Sequence, residues 1–382
     1  MGNVIQVLKP YFRVDEVLEE IRQCLEKGWT GIGFKTVDFE KQWSEYTGFA
    51  HSHFVNSATA GLHLAVKLLK KKHGWLNGDE IITPSLTFVS TNHAILYEGL
   101  TPRFCEVDKT LCLDPQAVRA AIGENTRAIM YVGLGGNAAH YRAMRGLADE
   151  FGLMLILDAA HMAGTRWLNS GEHVGLDADC TIFSFQAVKN CPSSDSGMIC
   201  FRDEDLDREV RLQSWLGIDK STYDRYTETT YKWRYDVTDL GYKYNGNAIT
   251  AAIGLVSLKY LDEDNARRRQ MAQKYEELLK NCADVTVIRH DPKISSSRHL
   301  IQILVEGRDH LMDWLATQGI YCGVHYIPNH RYGVYNKGTS ELPVTDHVAD
   351  RLISLPLHLW LSDDDVEHVA SSVEAFFSRS GK

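Results

Sequence analysis

The chain has 382 residues, enough for two or three domains, and its 44% apolar and 24% charged residues are ordinary for a globular protein. A net charge of −9 without any long basic run argues against a nucleic-acid-binding surface. No apolar run approaches the roughly 20 residues of a membrane span, and the N-terminus lacks the pattern of a signal peptide.

Strands and helices alternate through the first half of the chain. Apolar spacing predicts a helix over 13–27, a glycine-rich turn at 28–33, and a second helix to about Tyr46. The pattern then predicts strand 52–56, helix 60–72, strand 80–83, helix 88–98, strand 102–107, helix 114–122, strand 128–132, helix 138–151, and strands 153–157 and 180–185. Such alternation is typical of an α/β domain on a mostly parallel sheet.

The last part of the chain has a different pattern. Residues 204–240 are irregular, and a long helical region covers 247–281. Strands are predicted at 284–289, 298–305 and 320–325, and helices at 307–318 and 363–378. We therefore predict a large α/β domain at residues 1–258 and a smaller α+β C-terminal domain at 259–382.

The eight cysteines are scattered along the chain, and none forms a Cys-x-x-Cys pair. Several stand in apolar, strand-like runs. This distribution indicates reduced, buried thiols in a cytoplasmic protein rather than a disulfide framework. It gives no support for a zinc site, so we expect no metal.

Lys189 follows a buried apolar strand by four residues and begins a loop rich in small polar residues, 190–197. An amine near a core is desolvated, which lowers its pKa and leaves more of it uncharged and nucleophilic. Such a lysine can form a Schiff base with a carbonyl, including the aldehyde of pyridoxal phosphate (PLP). The alternative is a solvated surface lysine.

Other residues fit a phosphate and an aromatic ring. Residues 56–59 stand where a strand meets a helix, so backbone N–H groups and the Ser57 or Thr59 hydroxyl could bind a phosphate, although a simple N-cap is equally consistent. Asp158 ends an apolar strand, where a carboxylate is costly unless paired, for example with a protonated pyridine nitrogen. Phe88 could stack on such a ring or lie in the core.

The glycines at 133–138 support a different hypothesis. Gly133, Gly135 and Ala138 match the Gly-x-Gly-x-x-Gly/Ala fingerprint between a predicted strand and helix, and Asp158 ends the next strand about 25 residues later. This pattern predicts an NAD(P)-dependent oxidoreductase. However, the fingerprint usually opens the first βαβ unit, and this hypothesis leaves Lys189 unexplained. A non-enzymatic α/β scaffold with tight glycine turns is a third possibility.

The order of these motifs resembles that of the DegT-type sugar aminotransferase family, within the fold-type I (aspartate aminotransferase-like) PLP enzymes. The resemblance covers nearly the whole chain. The segments that carry it are Gly28, Trp29, Gly33, Phe39 and Glu40, then 56–62, 84–95, 158–161, 184–190, 241–247, 251–255, 324–328 and 354–357.

The resemblance implies a seven-stranded, mostly parallel sheet and a role for each matched residue. Lys189 would bind PLP, Asp158 would face the ring nitrogen and His161 the ring oxygen, and Phe88 would stack on the ring. The resemblance assigns the phosphate to Ser57, Ala58, Thr59 and Ser184, and to Lys243 or Asn245 from the partner in a homodimer with shared active sites. Substrate contacts are expected at Trp29, Lys35, Gln186, His325 and Tyr326.

The implied reaction moves an amino group from an amino acid, with glutamate expected, to a nucleotide-linked ketosugar in aminosugar, glycan or natural-product biosynthesis. The chain departs from the family at Ala58, Gln186 and Lys243, where Gly, His and Asn are usual, and in the loop 192–196. These departures surround the substrate more than the cofactor. Relatives with His in place of the lysine are dehydratases, so Lys189 favours transamination and a PLP-dependent sugar dehydratase stays an alternative.

Overall fold

The structure is a computed structural model that describes residues 4–220, 234–335 and 341–380. A seven-stranded sheet lies at its centre. The strands of this part are, in chain order, β1 (His51–Val55), β2 (Glu80–Pro84), β3 (Thr101–Cys105), β4 (Thr126–Val132), β5 (Met154–Asp158), β6 (Arg166–Trp167), β7 (Cys180–Ser184) and β8 (Gly197–Phe201). All but the two-residue β6 belong to this sheet, in the order β1-β8-β7-β5-β4-β2-β3.

The sheet is mostly parallel, as predicted. Strands β3, β2, β4, β5, β7 and β1 run in one direction, and only β8 runs in the opposite direction. Val132 pairs with Asp158, and Asp158 pairs with Ile182, two residues before Ser184. The carboxyl ends of β4, β5 and β7 therefore meet at one edge of the sheet.

Helices cover both faces of this sheet. They are α1 (Val14–Glu26), α2 (Phe34–Thr47), α3 (Ala58–His73), α4 (Val89–Tyr97), α5 (Pro115–Ala121), α6 (Tyr141–Phe151), α7 (Glu204–Ser214) and α8 (Ala248–Lys259). In β5, Leu155 and Leu157 enter one apolar cluster and Ile156 enters the other, as strand geometry requires. Burial of each such Leu or Ile stabilises the folded state by about 1.5–3 kcal/mol. This packing holds in place the strand ends that carry the site.

The C-terminal part has its own apolar cluster. Its elements are α9 (Leu261–Leu278), β9 (Val285–Val287), β10 (Ile294–Ser295), β11 (Ile301–Val305), α10 (Arg308–Thr317), α11 (Pro343–Ala349), β12 (Leu352–Leu355) and α12 (Asp363–Ser380). Strands β12, β11 and β9 form an antiparallel sheet. Tyr260 separates α8 from α9, near the predicted boundary, and the division into domains 1–258 and 259–382 stays a prediction.

Some predicted elements differ from the structure. The predicted strand 320–325 is wrong, because Ile320 pairs with Ile5 and Gly323 with Ser354, so no ladder continues along the segment. The sequence interpretation missed β8, α11 and β12. It also missed α7, which occupies part of the stretch 204–240 predicted as irregular; residues 221–233 of that stretch lie outside the described residues.

The eight cysteines are unpaired, and all but Cys282 and Cys322 are buried. Within the described ranges, no helix is long and apolar enough to cross a membrane.

Candidate active site

A cavity of about 450 Å³ opens at the carboxyl edge of β4, β5 and β7. This volume suits a small-molecule ligand. Most of the predicted site residues line the cavity, namely Ser57, Ala58, Thr59, Phe88, Asp158, His161, Ser184, Gln186, Lys189, His325 and Tyr326. The fold thus brings together residues that are up to about 270 positions apart in the chain, because the parallel strands end at the same edge and the segment of Tyr326 packs against that edge at His161.

Lys189 lies in a tight turn after β7. Its backbone N–H donates to the Gln186 carbonyl at 2.8 Å, and the Gln186 side chain accepts from the Val188 N–H at 3.0 Å. Burial lowers the pKa of Lys189 to about 8, although the carboxylate of Asp158 opposes this shift. At that pKa about a tenth of the amine is neutral at pH 7, compared with less than about a thousandth for an unshifted lysine.

Asp158 is the last residue of β5, and only 4% of its surface is exposed. The Thr91 hydroxyl donates to its carboxylate at 2.7 Å, and the Ala160 N–H donates at 3.1 Å. Burial raises the pKa of Asp158, and these two donors and Lys189 oppose that rise. A buried carboxylate in this setting is stabilised by a cationic partner. The protonated ring nitrogen of PLP would be such a partner.

The N-terminus of α3 forms another wall. Ser57 caps this helix, and its hydroxyl accepts from the Ala60 N–H at 3.1 Å. Gly197, at the start of β8, lies so close that an added Cβ would stand 2.7 Å from the Ala58 nitrogen. A helix N-terminus with the hydroxyls of Ser57 and Ser184 nearby is a suitable site for a phosphate. This wall therefore fits the phosphate of PLP.

Phe88 and His161 both lie beside Tyr326. Phe88 is 55% exposed, and its ring centroid is 5.7 Å from that of Tyr326, so a face is free to stack on a planar ligand. His161 accepts a hydrogen bond at Nδ1 from the Gly135 N–H at 3.1 Å, and its Nε2 faces the Tyr326 hydroxyl at 3.3 Å. Burial holds the pKa of His161 well below its usual value. His161 is therefore neutral, with its proton on Nε2.

Four predicted site residues do not line this cavity. Lys35 is buried against α1, where it pairs with Glu20, and the Trp29 indole donates to the Ile32 carbonyl. The Lys243 ammonium lies 3.1 Å from the centroid of the Trp215 ring, and the Asn245 amide donates to Gly246. Their roles stay predictions.

Lys243 and Asn245 nevertheless belong to a segment that lies beside the phosphate-binding turn. The Asn56 N–H donates to the Tyr244 carbonyl at 2.7 Å, and the Asn56 side chain donates to the Lys243 carbonyl at 3.1 Å. Asn56 directly precedes Ser57. The segment is thus close to the cavity wall while its two candidate side chains point elsewhere.

Sequence reasoning missed two contributors to the site, Thr91 and His299. Thr91 stands in the first turn of α4, three residues after the N-cap Phe88, and this spacing could have identified it. His299 lines the cavity from a segment between β10 and β11. No local pattern marks it, because only the tertiary fold brings residue 299 to Lys189.

The glycine turn at 133–136 does not have the geometry of a dinucleotide-binding loop. Helix α6 begins at Tyr141, several residues beyond the fingerprint, and Ala138 is fully buried in the core. An added Cβ at Gly136 would stand 2.3 Å from the Ser297 hydroxyl. The turn therefore packs against the C-terminal part of the chain and does not open a helix toward a pyrophosphate.

Comparison with known proteins gives one consistent result. The model of the DegT/DnrJ/EryC1/StrS aminotransferase family matches residues 13–374. The chain is similar to the aminotransferase TlmJ from Streptoalloteichus hindustanus, with 30% identity, coverage of 99% of this chain and 100% of that chain, and a TM-score of 0.91.

The chain is also similar to two further solved structures of this kind. The sugar aminotransferase CalS13 from Micromonospora echinospora shares 29% identity, with coverage of 97% and 99% and a TM-score of 0.89. Spr1654 from Streptococcus pneumoniae, solved in a PLP form, shares 28% identity, with coverage of 99% of each chain and a TM-score of 0.88.

Proposed function

The chain belongs to the DegT/DnrJ/EryC1/StrS aminotransferase family and is a PLP-dependent aminotransferase, and we propose that it transfers the amino group of glutamate to a nucleotide-linked ketosugar. The oxidoreductase and scaffold hypotheses are wrong, since the family match spans the residues they relied on. The observation that carries the proposal is the meeting of Lys189, Asp158 and the phosphate-binding wall in one cavity.

The cavity residues have distinct roles in this proposal. PLP, when bound, supplies the electron sink that stabilises negative charge at the substrate Cα. Asp158 would keep the ring nitrogen protonated, and Phe88 would stack on the ring. Ser57, Ala58, Thr59 and Ser184 would hold the phosphate. The amine of Lys189 is the base that takes the proton from Cα of the amino donor, and its lowered pKa favours the neutral form that this step requires.

The substrate wall supports a sugar as the acceptor. Gln186, His325 and Tyr326 present an amide, an imidazole and a phenol. Burial lowers the pKa of His325 to about 4 and raises the pKa of Tyr326, so both are neutral at pH 7. Neutral groups that donate and accept hydrogen bonds suit the hydroxyl and keto groups of a sugar. The similarity of the chain to CalS13, a sugar aminotransferase, also supports a sugar as the acceptor.

We further propose a cytoplasmic homodimer in which Lys243 or Asn245 of the second copy completes the site. Among the described residues, no arginine lines the cavity, although the substrates carry carboxylate and phosphate groups. Lys243 is exposed beside the phosphate-binding turn and could supply a cation to the second copy. The unpaired thiols are consistent with a reducing compartment.

The function is tested by incubating the PLP-loaded protein with glutamate and a panel of nucleotide-linked ketosugars. We expect stoichiometric 2-oxoglutarate and an aminosugar by mass spectrometry. A product that has lost water without consuming glutamate would instead support the dehydratase alternative, and the absence of any reaction with glutamate would refute the proposed donor.

The shared site is tested by mixing two inactive variants, Lys189→Ala and the double variant Lys243→Ala with Asn245→Ala. Mixed dimers should regain activity, because one of their two sites has both intact contributions. A mixture as inactive as its components, or a fully active monomer at high dilution, would contradict the shared site.

A further inference from the structure

His299 links the segment of Lys189 to the opposite wall of the cavity. Its side chain is 1% exposed, and its Nδ1 lies 2.9 Å from the Asn190 side-chain oxygen. Its ring centroid lies 4.3 Å from that of His161. Asn190 directly follows Lys189 in the chain, and His161 faces Tyr326. His299 therefore contacts both the lysine segment and the histidine wall.

The direction of the hydrogen bond to His299 is fixed by a chain of donors. Asn265 donates from its amide nitrogen to the Ala163 carbonyl at 2.9 Å, so its side-chain oxygen is an acceptor. Asn190 donates to that oxygen and to the Ser297 carbonyl, both at 2.7 Å. The Asn190 oxygen is then also an acceptor, so His299 must carry its proton on Nδ1.

The glycine turn at 133–136 fixes His161 in the tautomer opposite to that of His299. The Gly135 N–H donates to Nδ1 of His161, so His161 carries its proton on Nε2. The Gly135 carbonyl accepts from the backbone N–H of His299 at 3.0 Å. Gly135 has a φ of +67°, a conformation that glycine adopts without strain. One peptide turn thus contacts the imidazole of His161 and the backbone of His299, and this gives the glycine turn a structural role.

We propose that His299 is a positioning residue, which acts through Asn190 on Lys189 and through ring contact on His161. The Asn190 carboxamide makes all three of its hydrogen bonds to residues 265, 297 and 299, so it ties the reactive lysine to the C-terminal part of the chain. Without the His299 donor, the buried Asn190 oxygen loses its hydrogen bond, and only the two bonds of the amide nitrogen hold the carboxamide in place. The inference rests on the proposed function, since it assumes that Lys189 binds PLP.

The test compares variants that separate the hydrogen bond from the ring. His299→Phe keeps an aromatic ring beside His161 but cannot donate to Asn190. His299→Asn places an N–H close to the position of the histidine Nδ1–H, whereas His299→Gln places its amide near the position of Nε2. The matched control is His173→Phe, because His173 is also 1% exposed and neutral but bonds to Val174 and Gly164, outside the cavity.

Two rates are measured beside the melting temperature: kcat, and the rate at which cofactor-free protein forms the coloured lysine–PLP adduct. For His299→Phe we expect both to fall about 10- to 100-fold, as for a reactive group displaced by about 1 Å, with KM for the acceptor unchanged. His299→Asn should recover most of the adduct rate, and His173→Phe should change only the melting temperature. If His299→Phe does not fold, the His299→Asn and His299→Gln pair decides.

The inference is overturned if His299→Phe has wild-type rates, if His299→Asn forms the adduct no faster than His299→Gln, or if His173→Phe slows both rates equally. A wild-type protein that forms no adduct with PLP would instead refute the proposed function itself.

Discussion

The Thr91→Val substitution tests how the protein keeps Asp158 ionised for its interaction with the ring nitrogen of PLP. The Thr91 hydroxyl donates to the buried carboxylate at 2.7 Å, and valine has nearly the same shape without the hydroxyl. A hydrogen bond to a charged group contributes about 1.5–3 kcal/mol, and one between neutral groups about 1 kcal/mol. This hydrogen bond forms both with and without PLP. The loss of PLP affinity is therefore the difference between its strength to the ionised carboxylate and its strength to the neutral one. We therefore expect PLP affinity to fall by about 0.5–2 kcal/mol, or about 2- to 30-fold.

The sign of the pH dependence follows from the same contact. Burial already raises the pKa of Asp158, and the Thr91 donor opposes that rise. Removing the donor raises the pKa further, so the ionised form is lost at a higher pH as the solution is acidified. PLP affinity should therefore begin to fall at a higher pH in Thr91→Val than in the wild type.

The assay is an absorbance titration of cofactor-free protein with PLP across a range of pH. Thr83→Val is the matched control, because Thr83 is also fully buried but donates to Asn92 and does not contact Asp158. If Thr91→Val binds PLP as the wild type does, or if Thr83→Val weakens binding equally, the account of Asp158 is refuted.

Two other predictions follow from the site. In cofactor-free protein, Lys189 should react with an amine-selective reagent at a rate that rises with pH and is half-maximal near pH 8, because burial lowers its pKa to about 8. Peptide mass spectrometry measures the rate. A midpoint near that of an ordinary lysine would contradict the effect of burial. Gly136→Ala should lower the free energy of unfolding by about 2–5 kcal/mol, since φ is +93° and the new Cβ would overlap Ser297. Gly146→Ala in α6 is its control, with an open Cβ position and an expected gain of up to about 1 kcal/mol; equal denaturation midpoints for the two variants would count against the packed turn.

The sequence predicts the large sheet well because its strands carry strong local signals. β5 and β7 are continuous apolar runs, and each ends at a polar residue, Asp158 and Ser184. In a parallel sheet this is enough to place both side chains at one edge. The start of α3 is also readable, since Ser57 caps the helix in the structure as its residue type suggests.

The missed elements differ in how readable they were. β8 is a run of five buried residues, and α7 follows the N-cap Asp203 with acidic residues in its first turn, so both carried usable signals. The predicted strand 320–325 failed for another reason. Its apolar pattern is real, but its residues pair with separate segments near Ile5 and Ser354, and sequence alone does not reveal the pairing partners.

The site shows the same division between local and tertiary information. Lys189, Asp158 and Phe88 stand at element ends that local patterns identify. His299 follows Arg298, whose φ is +47°, in an irregular segment with no period. Its contacts to Asn190 and His161 span more than 100 residues of chain, so only the folded structure reveals them.

The central claim is that Lys189 is the residue that binds PLP. The most direct measurement is borohydride reduction of the PLP-loaded protein, followed by peptide mass spectrometry. The account predicts one pyridoxyl phosphate group per chain, on Lys189. The Lys189→Ala protein should carry no label and should also lack activity. A label on another lysine, or an active and equally labelled Lys189→Ala protein, would contradict it.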